Sequence, residues 1–290
     1  HFQQNELFDL FIGCKRVLLF LFEEKYIEIT SKIFHKLNDQ SKYLNRKYIN
    51  YFYPEIKEYL DTFDQRIYGK IPGNFEELRK TGQNESKICE IIRNDDLDEF
   101  IVQNTQKEIF FSKIPLSIYE TNNYLMKENI TLIEYVLLFG SVKIFKYMIL
   151  KNFNIDASLW IWAIRGSNAE IIQFFEERIG KPTPKEINIF LAESILCNYN
   201  DITSYFLNDI SNSEKNNKNI LEQCLIAHNF VLMNDNLIKY NLLPKLYYNG
   251  YSKLTNILLN VKDIDINPTK ISYFFDYKWR FYLIYTIKFQ

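Results

Sequence analysis

Few residues of this chain are placed to perform acid–base, nucleophilic or metal chemistry. The histidines are His1, His35 and His228. The cysteines are Cys14, Cys89, Cys197 and Cys224. No histidine has a second histidine or a carboxylate at metal-ligand spacing, and no two cysteines form a CxxC pair. We interpret the cysteines as reduced thiols of a cytoplasmic protein, and His228 as a partly buried structural residue.

Motifs of nucleotide binding and hydrolysis are also missing from the sequence. It contains no GxGxxG, GxxxxGK[ST], HExxH or GxSxG pattern. Adjacent acids such as Glu23 and Glu24 point to different sides of a helix, so we assign them to solvated helix faces. The sequence therefore predicts no catalytic residue, no cofactor and no metal site.

The composition is that of a folded, helical protein. Hydrophobic residues make up 47% of the 290 residues, and glycine and proline number only 8 and 7. The net charge of -1 argues against a general nucleic-acid binder, which needs many cations to neutralise phosphates. No stretch approaches the roughly 20 apolar residues of a membrane-spanning helix, so we expect no membrane span.

Two matching stretches lie 27 residues apart in the middle of the chain. The first, at 131–149, reads TLIEYVLLFGSVKIFKYMI, and the second, at 158–175, reads SLWIWAIRGSNAEIIQFF. Each predicts a short apolar helix, a tight turn of small residues and a second apolar helix. A helical hairpin this short has no room to bury its own apolar face, so it must stack on neighbouring hairpins. The pair therefore predicts an all-α solenoid.

The remaining chain divides into a region without repeats and a region of more degenerate ones. Residues 1–83 predict an N-terminal helical domain or cap, with helices at Asn5–Phe22, Tyr26–Leu37, Tyr43–Phe52 before a stop at Pro54, Glu55–Ile67 and Phe75–Lys80. Residues 84–290 predict about five to six hairpins. Further units are expected at 86–103, at 190–208, at 220–240 and around 247–267. The spacing to the unit at 190–208 grows to 31, and we place the extra length in the loop 180–184.

These units resemble ankyrin repeats. The ankyrin pattern is T-P-L-H-x-A-A, then G-H, E-hydrophobic-V-x-L-L and a finger such as G-A-D-V-N. Thr131–Leu137, Gly140–Ile149 and Asn152–Asp156 are similar to these parts, and the stretch from Ser158 repeats them. The chain is more specifically similar to a large, divergent ankyrin-like family of protists such as trichomonads. That similarity lies in the lead-in Ile114–Glu120 and in Ser158–Ile164, and it implies a binding scaffold without enzymatic activity.

The departures from the ankyrin pattern affect the first helix of each unit. Proline of the T-P-L-H tetrapeptide becomes Leu132 or Leu159, and histidine becomes Glu134 or Ile161. We expect the loss of that polar network to weaken the finger geometry. Trp160 and Trp162 map to the interior of the stack, and core packing is the favoured interpretation over an exposed binding anchor.

The resemblance implies a non-enzymatic scaffold for protein–protein interaction, and the cysteines favour a cytoplasmic location. A first alternative is a structural component of a cytoskeletal or axonemal, microtubule-associated assembly, suggested by the aromatic segment Phe274–Phe289. A second alternative is an enzyme whose site lies in the N-terminal helical domain; it would need a cluster of perturbed ionisable groups in a cleft. Residues 245–290 carry seven basic and three acidic residues, which we assign to solvated helix faces rather than to an acidic partner.

The loops between the units are the expected binding surface, because ankyrin-like stacks present the first helices and the finger tips on the concave side. The candidate partner-binding residues are Asn152, Asn154, Asp156, Lys181, Lys185, Asp263, Asp265 and Asn267. Lys146 and Gln173 are expected on exposed faces of second helices, and changing them should affect partner binding little.

Gly140 is expected in the tight turn between two helices. Substituting Gly140→Val should lower the free energy of unfolding by about 1–3 kcal/mol, through backbone strain and crowding. Urea or thermal denaturation measures the change. Unchanged stability would show that the register of the hairpin is wrong.

Overall fold

The computed structural model describes residues 4–43, 48–60, 73–107, 109–126, 129–208, 220, 222–227, 229 and 231–232. Within these ranges the chain forms α-helices and short 3-10 turns and no β-strand, which confirms the all-α prediction for them. A single described β-bridge joins Lys113 to Thr131. The chain divides into two compact units, residues 1–180 and 181–290. This division does not coincide with the boundary expected between residues 83 and 84.

The N-terminal part of the first unit contains five described α-helices. They are α1 (Gln4–Phe11), α2 (Lys15–Glu23), α3 (Ser31–Tyr43), α4 (Tyr53–Ile56) and α5 (Phe75–Thr81). Helices α1 to α4 bury one apolar cluster that includes Phe8, Leu18, Ile33 and Phe52. Met126, from the loop that precedes a later hairpin, belongs to the same cluster. The N-terminal core therefore depends on residues far beyond position 83.

Two of the expected N-terminal helices have different bounds. The expected helix Asn5–Phe22 is broken at residues 12–14, where Gly13 has a low helix preference. The hydroxyl of Tyr48 donates to the carbonyl of Ile12 and so satisfies an acceptor that the break frees. The expected helix Tyr26–Leu37 begins only at Ser31, because the hydroxyl of Thr30 caps it by accepting the amide of Ile33 at 3.3 Å.

Pro54 has the opposite role to the one expected. The prediction that it stops the helix Tyr43–Phe52 is wrong, because it lies in the first turn of α4, where a missing amide proton costs no hydrogen bond. Ile49–Phe52 and Lys57–Tyr59 are 3-10 turns on either side of α4. Most of the expected helix Glu55–Ile67 lies outside the described residues.

Four helical hairpins follow within the described ranges. In the first unit they are α6 (Lys87–Arg93) with α7 (Leu97–Lys107), α8 (Leu132–Leu138) with α9 (Val142–Leu150), and α10 (Trp160–Gly166) with α11 (Ala169–Ile179). In the second unit α12 (Pro184–Leu196) pairs with α13 (Asn200–Asn208). The hairpins predicted from the matching stretches are confirmed. Trp160 and Trp162 are buried, with 1% and 9% of their surface exposed, as the core interpretation requires.

One residue at each hairpin turn has a left-handed backbone conformation. Its φ is +48° at Asp95, +61° at Gly140, +55° at Ser167 and +58° at Asn198. This conformation ends the first helix and redirects the chain into the second. Gly140 therefore lies in the turn, as predicted. A Cβ there would approach the Cβ of Asn168 at 3.2 Å.

Hydrogen bonds join each turn to the turn before it within the first unit. The carboxylate of Asp95 accepts the backbone amides of Lys143 and Ile144 at 2.9 and 3.0 Å, and thus caps α9 from the preceding hairpin. Ser141 donates its hydroxyl to the carbonyl of Ile92 at 2.6 Å. Asn168 donates its amide to the carbonyl of Gly140 at 3.3 Å. These bonds fix the register in which the hairpins stack.

The second unit has an equivalent contact. Asn229 donates its side-chain amide to the carbonyl of Ile195 at 3.4 Å and to Oδ1 of Asn200 at 2.9 Å. Ile195 precedes the left-handed Asn198 by three residues, as Ile92 precedes Asp95. The same turn-to-turn contact therefore recurs in both units. Residues 222–226 are helical, in agreement with the first helix expected from residue 220.

The start of α8, where the sequence lacks the T-P-L-H network, is capped by its own side chains. The expected weakening of the finger geometry stays a prediction. The hydroxyl of Thr131 accepts the backbone amide of Glu134, and the Glu134 carboxylate accepts the backbone amide of Thr131 at 2.7 Å. This reciprocal capping box satisfies two amides that the helix leaves unpaired. Thr183 and Glu186 form the same box at α12. Another polar network thus replaces the tetrapeptide.

The longer spacing before the last described hairpin also has a different origin from the one expected. Helix α12 has 13 residues, whereas α10 has seven. The loop between α11 and α12 is short, and Pro184 is already the first residue of α12. Helix α11 is also two residues longer than α9, so the extra length lies in the helices α11 and α12 and not in the loop 180–184.

Gly166 marks a very tight approach between hairpins and gives a stability test. A Cβ on Gly166 would lie 1.9 Å from the carbonyl oxygen of Leu137, so the backbone of α8 or α10 would have to move. We expect Gly166→Ala to lower the free energy of unfolding by about 3 kcal/mol, at the upper end of overpacking costs. Gly13→Ala is the matched control, because nothing lies within 4 Å of its added Cβ. Equal stabilities of the two variants in urea denaturation would contradict the packing described for α8 and α10.

Candidate functional site

A patch of exposed apolar side chains lies at the loop between the second and third hairpins of the first unit. Phe111 is 83% exposed and Leu150 is 80% exposed. The ring of Phe111 stacks on that of Phe153, with centroids 5.4 Å apart and planes 27° apart. We call the exposed Phe111 and Leu150, together with the half-buried Phe153, the tip patch. Large apolar side chains exposed together on a folded surface typically mark an interaction site.

The helix geometry explains why these side chains remain outside. The buried residues of α9 are Ile144, Phe145 and Met148, which define one stripe of the helix, and Leu150 lies off that stripe. Phe111 ends the 3-10 turn Ile109–Phe111. Its neighbour Phe110 packs instead against Phe100 and Tyr147, at centroid distances of 6.2 and 5.9 Å. Phe110 therefore packs against other rings, whereas the side chain of Phe111 is largely exposed to solvent.

Three of the predicted partner-binding residues lie in the loop that carries this patch. Asn152, Asn154 and Asp156 are all exposed, and Asn152 turns the chain with a φ of +61°. Asp156 also has a structural role, because its carboxylate accepts the amide of Ser158 at 2.8 Å and caps the 3-10 turn Ala157–Leu159. The structure therefore brings these three residues together beside Phe153.

The other predicted partner-binding residues are described in part. Lys181 and Lys185 are exposed in the second unit, before and within the first turn of α12. Asp263, Asp265 and Asn267 lie outside the described residues, as do His1, His228, the segment Phe274–Phe289, about half of the expected unit 220–240 and all of the unit around 247–267.

Sequence reasoning missed the three side chains of the tip patch. Leu150 was detectable, because it is out of phase with the buried stripe of α9. Phe111 carried no such signal, since Phe110 and Phe111 are adjacent aromatic residues and only the packing of Phe110 on Tyr147 distinguishes them. Phe153 was included in the expected finger but not as a contact residue.

A second candidate is a buried polar cluster around Lys15. Its side chain is 1% exposed, and its ammonium donates to the carbonyls of Ile118 and Glu120, both at 2.9 Å. The ammonium also lies 5.2 Å from the ring centre of Tyr48 and 5.0 Å from that of Tyr51. Lys15 thus joins α2 to a loop more than a hundred positions further along the chain.

Burial shifts the pKa values of the ionisable groups in this cluster. Desolvation lowers the pKa of Lys15 to about 7, against the opposing charge of Glu120. Burial raises the pKa of the Glu120 carboxyl, while hydrogen bonds from the amides of Asn122, Asn84 and Thr121 oppose the rise. Desolvation likewise raises the pKa of Tyr51 to about 12.

Arg79 extends the cluster on its other side. It is 2% exposed, and its guanidinium binds the carboxylate of Glu55 through two nitrogens, at 3.2 and 2.5 Å. The guanidinium lies 5.6 Å from the ring centre of Tyr51 and 5.9 Å from that of Phe75. Burial raises the pKa of Glu55, and the hydrogen bond and charge of Arg79 lower it.

The cluster uses the lead-in segment Ile114–Glu120 that the sequence singled out. Besides the two carbonyls bound by Lys15, the carbonyl of Pro115 accepts the side-chain amide of Asn84 at 2.6 Å. Ser117 donates its hydroxyl to Glu85. The segment therefore acts as a strap, buried at Ser117, Tyr119 and Glu120, that ties α2 to the start of α6. A neutral lysine amine is a nucleophile, but here two carbonyls and two aromatic rings surround the amine.

A shallow groove lies between α9 and α11. It encloses about 190 Å³, and its lining residues are Val142, Phe145, Lys146, Glu170, Ile171, Gln173, Phe174 and Glu177. Lys146 and Glu170 form an ion pair across it, and Gln173 donates to Glu177 at 2.9 Å. Small-molecule sites usually enclose roughly 300–1,000 Å³, so this groove is small for a ligand pocket. Lys146 and Gln173 are exposed, as expected.

Comparison with known proteins identifies no family or structural relationship for this chain. No family model, curated protein or solved structure matches the chain. The resemblance to ankyrin repeats and the solenoid arrangement therefore stay predictions. Among the described residues, no helix is long and apolar enough to cross a membrane, and no group of three His, Cys, Asp or Glu side chains is placed to hold a metal ion.

The depressed pKa of Lys15 predicts a pH dependence of stability. Between pH 7 and 9 the unfolded lysine, with a pKa near 10.5, holds a proton that the folded one has lost. The free energy of unfolding should therefore rise with pH in this window, by up to about 1 kcal/mol per pH unit from Lys15. Urea denaturation at pH 7, 8 and 9 should show this slope in the wild type and a smaller one in Lys15→Met.

Lys87→Met removes a charge from an exposed lysine and is the control. It should keep the slope of the wild type. Parallel slopes for the wild type and Lys15→Met would contradict the folded pKa given for Lys15.

Proposed function

We propose that the chain is a non-enzymatic scaffold that binds a protein partner through the tip patch and the loop 152–156. The observation that carries this proposal is the stack of the exposed Phe111 on the half-buried Phe153, three residues after the exposed Leu150 in the chain. Burying apolar surface in water contributes about 25 cal/mol per Å², and one aromatic side chain can bury about 150–250 Å². Covering this patch is therefore a sizeable source of binding free energy.

The local rigidity of the patch supports the proposal. Phe153 and Asn152 follow the end of α9, and the amide of Phe153 donates to the carbonyl of Met148 at 3.0 Å. On the other side, the amide of Ser112 donates to the carbonyl of Ile109 at 2.9 Å and holds the 3-10 turn that ends at Phe111. A partner that binds two pre-positioned rings orders few further side chains, so less conformational entropy opposes binding.

The buried cluster supports the scaffold over the enzyme alternative. That alternative requires perturbed ionisable groups in a cleft, and Lys15, Glu55 and Glu120 do have shifted pKa values. Lys15, however, is 1% exposed, and both carbonyls that it binds belong to the strap. Its contacts serve to hold α2 against Ile114–Glu120. The cytoplasmic setting is part of the proposal, and none of the four cysteines is joined in a disulfide.

The proposal is tested by comparing two double variants of the full chain. Proteins retained from a lysate of the source cells are identified by mass spectrometry, and the purified partner is then titrated against each variant. Phe111→Ser with Leu150→Ser should weaken binding at least tenfold, because loss of a central contact costs about 2 kcal/mol or more. Both side chains are largely exposed, so thermal stability should change little.

Lys146→Ala with Gln173→Ala is the matched control on the α9–α11 groove. It should leave partner affinity within about twofold of the wild type, which corresponds to a change under about 0.5 kcal/mol. Loss of binding in the control while the tip variant retains affinity would overturn the proposed binding surface.

A further inference from the structure

Two of the three charged side chains next to the tip patch in the sequence are positive. In the described segments 109–113 and 150–156 they are Lys113, Lys151 and Asp156. The carboxylate of Asp156 is occupied by the amide and hydroxyl of Ser158. Both lysines are exposed and lie within two residues of Phe111 or Phe153 along the chain. The patch thus combines one exposed ring, that of Phe111, with two ammonium groups.

Neither ammonium is neutralised by a carboxylate of the described part of the chain. Lys113 donates to the side-chain oxygen of Asn129, an uncharged acceptor, at 2.6 Å. The ammonium of Lys151 lies over the ring of Tyr147, 5.7 Å from its centre. Lysines that do form ion pairs with carboxylates, such as Lys87 and Lys146, lie elsewhere on the described surface. The positive charge at the tip patch is therefore open to a charged partner.

We propose that the occupant of the tip patch is an acidic peptide segment that also carries aromatic or leucine side chains. This inference rests on the proposed function and specifies the chemistry of the partner. An apolar side chain of the segment covers the exposed faces of Phe111 and Leu150, and neighbouring Asp or Glu side chains pair with Lys113 and Lys151. Charge complementarity of this kind raises the association rate and selects among partners.

An acidic protein segment fits these observations better than the other anionic macromolecules do. Nucleic acid and anionic lipid surfaces attract proteins through many lysines and arginines, because each neutralised phosphate adds to the affinity. Here two lysines accompany three apolar side chains, and the whole chain has a net charge of -1. Exposed apolar side chains beside a few charges are typical of a protein interface.

The test uses fluorescence anisotropy with the full chain and two fluorescein-labelled synthetic peptides. In the first peptide Asp and Glu alternate with Phe and Leu, and in the second Lys replaces every Asp and Glu. The acidic peptide should bind and the basic one should bind at least tenfold more weakly. Raising the salt concentration should weaken the binding of the acidic peptide, because salt screens exposed charges. Labelled oligothymidylate and phosphatidylserine vesicles serve as the other anionic probes.

Charge-reversal variants test whether Lys113 and Lys151 bind the acidic peptide. The double variant Lys113→Glu with Lys151→Glu should weaken the binding of the acidic peptide at least tenfold. Lys113→Gln with Lys151→Gln should weaken this binding to a smaller extent. The glutamine pair guards against an effect of the carboxylate introduced at position 151, since a negative charge is unfavourable at a helix C-terminus. Lys143→Glu is the matched control, because it lies on α9 about 12 Å along the axis from Lys151.

The proposal is overturned if the acidic and basic peptides bind alike, or if Lys143→Glu weakens binding as much as the pair at the patch. It is also overturned if oligothymidylate or the vesicles bind more tightly than the acidic peptide through Lys113 and Lys151. These outcomes leave the proposed function standing when Phe111→Ser with Leu150→Ser still releases the cellular partner. If that variant also retains the partner, the proposed function fails as well.

Discussion

The left-handed residue at each hairpin turn is the constraint on which the described architecture depends. Asp95, Gly140, Ser167 and Asn198 each turn the chain between two helices, and only one of the four is glycine. A left-handed conformation has a cost for a residue with a side chain, and the contacts between turns offset it. Asp95 illustrates this, because its strained position directs its carboxylate onto the first amides of α9. Local strain and stacking register are thus determined by the same residue.

Much of the hairpin architecture was predictable because its signals are local. The 27-residue match placed both hairpins and Gly140 in the turn, and the resemblance to ankyrin repeats placed Trp160 and Trp162 in the core, where they are buried. The N-terminal helices were less predictable. The break at residues 12–14 depends on the hydroxyl of Tyr48, and no periodicity within α1 and α2 contains that information. Pro54 was misjudged because proline both ends helices and begins them.

The candidate site was predictable at the level of the loop but not of the side chains. Asn152, Asn154 and Asp156 followed from the position of a loop between helices. The exposure of Phe111 depends on which of two adjacent phenylalanines packs on Tyr147, which is a tertiary outcome. The burial of Lys15 was hidden for the same reason, since its acceptors are backbone carbonyls and carry no signature in the sequence.

The strap that Lys15 holds has a consequence for biosynthesis. Helix α2 leaves the ribosome long before Ile118 and Glu120 do, and Met126, which completes the same core, follows later still. During translation the N-terminal helices therefore carry an amine and apolar faces whose partners have not yet been made. Domains usually fold from the N-terminus as units. In this chain the N-terminal core becomes complete only after the hairpin of α6 and α7 has been made, so an early pause in translation leaves an unfinished core for chaperones to protect.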